Sequence, residues 1–297
     1  MKVRVADDER ALAKLLIAPA LLYIGLVMGV PFFLALWFSV SDVTVSSAAG
    51  HFVGLENFRS AIDDPTFRRA LGNTFLFAFA SQAIVIVLST VLAVALTREF
   101  RGKWMVRLLI LLPWVAPVSL GSIGWLWIFD SIYSVINWTL RYLHIIGPTT
   151  WPIWLGQPTL ARASIIIVNV WRILPLATVI VLAGLSSIPQ DIHDAAEVDG
   201  AGFWRHHFQI TTPLILPITL VALLFGIIFT FTDMIVVYVL TAGGPYDSTQ
   251  VLPSLAFFTG IQGSDLAAGA AISLFLVPLL VIVAILMLRV AHRAEVT

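Results

Sequence analysis

The sequence predicts an all-α membrane protein with six transmembrane helices and both chain ends on the cytoplasmic side. Three observations predict it. Hydrophobic residues fill 59% of the 297 positions and charged residues only 11%, against about a quarter charged in soluble domains. The apolar residues fall in long blocks, not in short periodic stripes. Lys and Arg gather in alternate loops between those blocks.

Six blocks reach the length of about 20 residues that crosses a bilayer core. They run over roughly 15–40, 72–97, 108–130, 160–187, 214–241 and 267–290. Lipid requires each backbone group to be paired within its own segment, which a helix achieves. The blocks lack the apolar/polar alternation of barrel strands. The first block is too long for the core of a signal peptide, about 7–15 residues, and reads as a retained span.

Basic residues favour the cytoplasmic face. One side holds Lys2, Arg4, Arg10, Lys14, Arg98, Arg101, Lys103, Arg107, Arg205, Arg289 and Arg293. The other holds Arg59, Arg68, Arg69, Arg141 and Arg162. The richer side carries both ends of the chain and the loops 98–107 and 188–213. The outer loops are 41–71, 131–159 and 242–266, and the first is expected to carry a short surface helix. Pro113, Pro117, Gly121 and Gly124 in block three, Pro175 in block four and Pro278 in block six predict kinked helices.

Several chemistries are excluded. The chain has no cysteine, so it has neither disulfides nor thiolate metal sites. Its formal net charge is zero, so no global field points to nucleic acid. His144, His193, His206 and His207 form no metal-spaced set with carboxylates. No Gly-x-x-x-x-Gly-Lys-Ser/Thr occurs, because Gly102-Lys103 is followed by Trp104 and lacks the upstream glycine. The chain is therefore expected to be no enzyme, with no cofactor of its own.

Loop 188–213 is the most informative stretch. Pro189, Asp191 and Asp194 suit the start of a helix. Gly200 and Gly202 break it, and a second short helix is expected from Phe203 towards Ile210, with Pro213 opening the next span. Phe203, Trp204 and Phe208 would then be exposed outside the hydrocarbon. Such a cluster suits a protein partner or an interfacial helix lying on lipid.

Asp194-Ala195-Ala196, three residues, Gly200, nine residues, Ile210, one residue, Thr212-Pro213 resembles the EAA motif of ABC-importer permeases. Asp194 stands where the motif has Glu, and Thr212 where it has Leu. Six spans with this motif between the fourth and fifth resemble the maltose-type sugar permeases. Thr241 to Thr249, Gly54 to Phe58 and Asp64 to Phe67 are similar to outer-loop fragments of that family. The resemblance implies that residues 1–297 form one transmembrane permease domain of a bacterial inner-membrane importer for a sugar or polyol. It implies that Asp194, Ala195, Ala196 and Gly200 form a coupling helix docking on a cytoplasmic ATPase. Phe203 and Trp204 join them on the argument from exposed aromatics. The implied partners are a second, homologous permease in a heterodimer, two ATPase subunits that bind ATP and Mg, and a periplasmic or lipid-anchored solute-binding protein, with membrane lipid around them.

Polar groups inside spans are costly and are functional candidates. Asn169 and Arg172 lie three apart, on one face of a helix. Block five offers Thr230, Thr232 and Asp233, and block three offers Ser122 and Trp125. By position relative to the motif, Asn169, Arg172, Thr230, Asp233 and Ser122 resemble the family's substrate-lining set. Trp125 adds an aromatic platform for a sugar face. Arg172 and Asp233 also suit a buried ion pair between spans four and five. An anionic cargo, such as a glycerol phosphate or sulfo-sugar, would instead take Arg172 as its partner. An ion-coupled secondary transporter would show repeats and coupling carboxylates. No repeat is visible here, and Asp233 is the one clear central carboxylate.

Overall fold

The computed structural model describes residues 9–47 and 50–296. Lys2 and Arg4 of the charge argument lie outside them. Every regular element among the described residues is helical. The helices are α1 (Glu9–Ile24), α2 (Val30–Ser39), α3 (Glu56–Asp63), α4 (Pro65–Thr97), α5 (Lys103–Val115), α6 (Val118–Ile128), α7 (Val135–Tyr142) and α8 (Pro158–Ser186). They continue with α9 (Gln190–Val198), α10 (Phe203–Arg205), α11 (Thr212–Thr232), α12 (Ile235–Thr241), α13 (Leu252–Phe257), α14 (Leu266–Leu274) and α15 (Leu276–Val296). Five helical stretches are long and apolar enough to cross a membrane, and a bent pair, α5 with α6, makes up to six.

Four expectations need correction. The second span begins at Pro65 instead of 72, because Asp64 caps the helix by accepting a 2.8 Å hydrogen bond from the Thr66 N–H, and Pro65 suits its first turn. The third block is not one kinked rod: α5 and α6 meet at 100°. Pro117 forces Ala116 out of the helical region, to φ −66° and ψ 138°. The fifth block stops at Thr232, and Asp233 is extended before α12 resumes at Ile235. The short helix at Phe203 does not stop near Ile210. It passes through a π-helical turn, His206–Thr211, straight into α11, giving one stretch of 30 residues, Phe203–Thr232. Pro213 offers no N–H and its ring crowds the preceding turn, so a widened turn just before it relieves the clash.

The chain divides into two compact units. One comprises the described residues up to Ile62 together with Ala256–Leu274. Within it α2 packs on α14, and Asn57 donates to the carbonyls of Ser39 and Ser41 at 3.0 and 2.8 Å. Gly260 and Gly269 touch backbone to backbone. A Cβ on Gly269 would stand 2.5 Å from the Gly260 Cα and 2.9 Å from the Ala256 carbonyl oxygen. No flexible side chain is there to yield. Gly269→Ala should therefore destabilise the fold by about 1–3 kcal/mol, the usual cost of overpacking. Gly72→Ala, whose Cβ meets nothing within 4 Å, is the neutral comparison. Thermal unfolding in detergent reads both, and equal midpoints would rule out the close approach.

The second unit, Asp63–Leu255 with residues from Phe275 onward, is built around α8. That helix is largely apolar and buries residues along its whole length, from Ala161 to Leu185, with Asn169 and Arg172 as polar exceptions among them, as a central helix should. On α4 the small residues Ala70, Ala78, Ser81, Ser89 and Ala93 are buried. Their spacing of three to eight positions keeps them on one side, and they let α4 lie closely along α8. Loop 242–251 is pinned to the starts of α4 and α8. Asn73 donates to the carbonyls of Ser248 and Gln250, both at 2.9 Å, and Arg162 donates to Ser248 at 2.9 Å.

Candidate functional site

The break between α11 and α12 creates a polar point inside an apolar stretch. At Asp233 the backbone leaves the helix (φ −81°, ψ 128°). Its carboxylate Oδ1 accepts the Val236 N–H at 3.0 Å, which supports the start of α12. The other oxygen, Oδ2, forms an ion pair with Arg172 Nη1 on α8. Arg172 is 7% exposed. A half-buried carboxylate and a buried guanidinium thus answer each other, as intramembrane charges generally must.

This pair lines a cavity of about 560 Å³. Trp114 and Val118 bring the broken third span to it, and Phe229, Thr232 and Met234 bring the broken fifth. Trp114 and Phe229 meet edge to face, with centroids 5.5 Å apart. Both helix breaks therefore open on one space that offers two charges, a hydroxyl and aromatic faces.

Of the six residues expected at a substrate site, Arg172 and Asp233 line this cavity and the other four do not. The hydroxyl of Thr230 donates to the Gly226 carbonyl at 2.8 Å and accepts from Gln82 at 3.3 Å. Thr230 sits three positions before Asp233, but the helix ends between them, so their shared face is lost. Trp125 packs into the core, stacked on Phe129 at 5.2 Å and edge-on to Trp171 at 5.8 Å. Asn169 is 4% and Ser122 1% exposed, and Asn169 Oδ1 and Ser122 Oγ have no partner among the described residues. Trp114, Phe229 and Gln82 were not singled out from the sequence. The signal for Gln82, an amide in an apolar block, was present.

The loop 188–213 has a defined turn. After α9, Gly200 adopts φ +70°. Its N–H donates to the Glu197 carbonyl at 3.0 Å, and the Ala201 N–H donates to the Ala196 carbonyl at 2.9 Å. These two bonds form a Schellman turn, which favours glycine at the left-handed position. Asp194 and Ala195 are exposed and Ala196 is buried; Asp194 accepts from Gln190 at 3.0 Å. His193 Nδ1 and His206 Nε2 lie 2.9 Å apart, and His206 Nδ1 lies 3.3 Å from the Thr211 hydroxyl. The arm is thus braced against the base of the long α10–α11 helix. Phe203 and Trp204 are exposed, on that helix and not on the turn.

A helical membrane chain with a cavity at broken spans and a bent, braced arm beyond them defines a transport permease. The chain belongs to the family of binding-protein-dependent transport system inner membrane components, whose pattern matches residues 85–296. It is a multi-pass inner-membrane permease of an ABC importer and is not itself an enzyme. It is 32% identical to the sulfoquinovosyl glycerol transport system permease protein SmoG of Agrobacterium fabrum, over 97% of this chain and 92% of that one. It is also 32% identical to the trehalose/maltose transport system permease protein MalF of Thermococcus litoralis, over 96% and 95%. The fold matches a chain of a bacterial alginate ABC transporter, crystallised with an alginate pentasaccharide-bound periplasmic protein. The TM-score is 0.81 at 20% identity, with 98% of this chain and 97% of that one covered.

Proposed function

We propose that this permease crosses the membrane six times with both ends in the cytosol, and that α9 and its glycine turn form the lever on which an ATPase pushes. One observation carries the reading. Loop 188–213 and the basic turn 98–107 line the same cavity, through Gln190 and His193 on one side and Arg98, Lys103 and Arg107 on the other. The lever therefore lies at the basic end of α4, the end that the charge rule assigns to the cytosol. Asp194, Ala195 and Gly200, all exposed, form the ATPase-facing edge, while Ala196, expected among them, is buried and packs α9 against the rest of the chain. Phe203 and Trp204, expected beside them, stand on the trailing arm and face α4 across a cavity. The whole chain acts as one permease domain, paired with a second, homologous permease and two ATPase subunits, which bind ATP and Mg, and fed by an external solute-binding protein.

The cargo is a sugar, a polyol or a related carbohydrate. The cavity supports that class by pairing aromatic faces, Trp114 and Phe229, with polar groups at Thr232, Arg172 and Asp233, the mixture a hydroxyl-rich ligand needs. Relatives that carry trehalose, maltose and sulfoquinovosyl glycerol agree. Arg172 is already paired with Asp233, so a neutral sugar leaves the pair intact, whereas an anionic cargo, such as the sulfoquinovosyl glycerol or glycerol 3-phosphate named for relatives, would compete with Asp233 for the guanidinium. Asn169 and Ser122, buried with unpartnered oxygens, are reserve ligands for a state in which the spans have moved.

Vesicles holding both permeases and both ATPases, with receptor outside and ATP inside, should accumulate labelled sugar. Vesicles lacking the ATPases should not. Accumulation by this chain alone would overturn the reading.

A further inference from the structure

Two cavities adjoin at the basic end of α4. One, of about 530 Å³, is lined by Arg98, Lys103 and Arg107 and by His193, His206 and His207. The other, of about 500 Å³, is lined by Ile86, Val87 and Val91 of α4 and by Trp204 and Phe208. Val94, Phe203 and His207 line both. The two cavities thus adjoin across these three residues, one apolar along the helix and the other cationic at its end.

The residues that build them follow from helix geometry. Ile86, Val87, Thr90, Val91 and Val94 fall on one face of α4. Opposite them stand the rings of the α10–α11 helix, with Trp204 stacked on Phe208 at 5.8 Å and Phe203 on His207 at 6.3 Å. In the cationic part, Lys103 pairs with Glu99 at 2.7 Å, and this contact holds the Glu99 carboxyl below its ordinary pKa. Glu99 is the one acid lining this cavity. Arg98 makes no ion pair among the described residues, and Arg107, outside ion-pair distance of Glu99, acts on it only at longer range.

We propose that the two cavities together hold an anionic phospholipid, with an acyl chain along α4 and the phosphate among Arg98, Arg107 and His207. Charge and depth select this occupant. An apolar slot beside an excess of cations, Arg98, Lys103 and Arg107 against the single acid Glu99, matches an apolar tail carrying an anionic head. The slot reaches back to Ile86, eleven residues before the end of α4, or about 16 Å at 1.5 Å per residue. A soluble ATPase cannot enter hydrocarbon to that depth. The lipid would join the fixed span α4 to the trailing arm of the lever, so the inference rests on the cytosolic placing of that arm.

The test uses the complete importer, delipidated and returned to nanodiscs of phosphatidylglycerol or phosphatidylcholine, with tightly retained lipid counted by native mass spectrometry. Phosphatidylglycerol should be retained at least about tenfold better. Arg98→Gln with Arg107→Gln should erase the preference. Val91→Trp, which fills the apolar slot without touching a charge, should lower retention of both lipids. Millimolar inorganic phosphate should not displace the lipid; if it does, the site reads a free phosphate and the acyl slot is incidental. Equal retention of the two lipids, or an unchanged preference in the double Arg variant, would overturn the proposal. So would retention by the permease pair that vanishes once the ATPases are added, since the face would then belong to a protein. Because the chain has no cysteine, Arg101→Cys and a membrane-impermeant thiol reagent separately report sidedness. Labelling from outside would sink the topology, whereas lipid selectivity in nanodiscs does not depend on it.

Discussion

Gly200→Pro combined with Asp194→Lys should reduce transport to background while the external receptor still binds its sugar. Proline fixes φ near −65° and removes the N–H. Gly200 needs the opposite of both, a positive φ of +70° and an N–H that donates to Glu197 at 3.0 Å. Without them the Schellman turn opens and α9 loses its angle to the arm. Lysine at 194 also reverses the charge of an exposed position on the lever and abolishes the hydrogen bond from Gln190. Gly200→Ala is the graded version. A Cβ there meets nothing within 4 Å, so only the left-handed backbone is strained, by about 1–2 kcal/mol. That lowers the equilibrium constant for the closed turn roughly tenfold, given about 1.4 kcal/mol per factor of ten, so uptake should fall by no more than that factor. Transport and ATP hydrolysis, measured together in vesicles, check this. ATP turnover that persists while uptake fails is the signature of a disengaged lever, and normal uptake by the double variant would refute the assignment.

The length of each apolar block made the spans legible, because only a helix of that length satisfies its backbone in lipid. The turn at Gly200 was legible for a related reason, since glycine is the residue that a left-handed cap favours. The breaks were not. Pro117 announces a disturbance, but whether the chain bends slightly or turns by 100° depends on what α5 and α6 pack against, which local sequence does not contain. The early start of α4 was written in Asp64-Pro65. It was missed because a search for lipid-soluble residues discards Arg68 and Arg69, although a helix continues past the hydrocarbon into water without penalty. Pro213 was read as a boundary, whereas the π-helical turn ahead of it lets α10 run on into α11.

For the site, the cost of charge was a better guide than position relative to the motif. That cost made an Arg172–Asp233 ion pair one of the two readings of these residues, and the pair is present. Position relative to the motif put Thr230 in the same lining set as Asp233. The helix stops between them, and Thr230 turns to Gly226 and Gln82 instead. Gln82 shows the converse. Its amide clasps Gly226 and donates to Thr230 at 3.3 Å, a contact between residues 148 apart in sequence, beyond the reach of any local rule.

The Arg172–Asp233 pair gives the largest expected change in stability. Asp233→Ala should destabilise the fold by about 3–5 kcal/mol, the cost of leaving a buried charge without its partner. Two losses combine in it: the guanidinium is stranded, and the Val236 N–H loses the carboxylate that caps it at 3.0 Å. Asp233→Asn separates them, because its amide oxygen can still accept from Val236 while the ion pair is gone. Its melting point should fall between those of Asp233→Ala and the natural chain. Arg172→Met with Asp233→Leu removes both charges and fills similar volume, and replacing such a pair with apolar groups is often neutral or stabilising. The double variant should therefore melt above Asp233→Ala in detergent. If Asp233→Ala and the double variant melt alike, the pair is solvated and not buried. The same series divides structure from transport. Both charges line the cavity, so a double variant that folds well yet no longer carries sugar would place Arg172 and Asp233 on the pathway. One that folds and transports normally would leave the pair a brace between α8 and α11, and move the search for sugar ligands to Asn169 and Ser122.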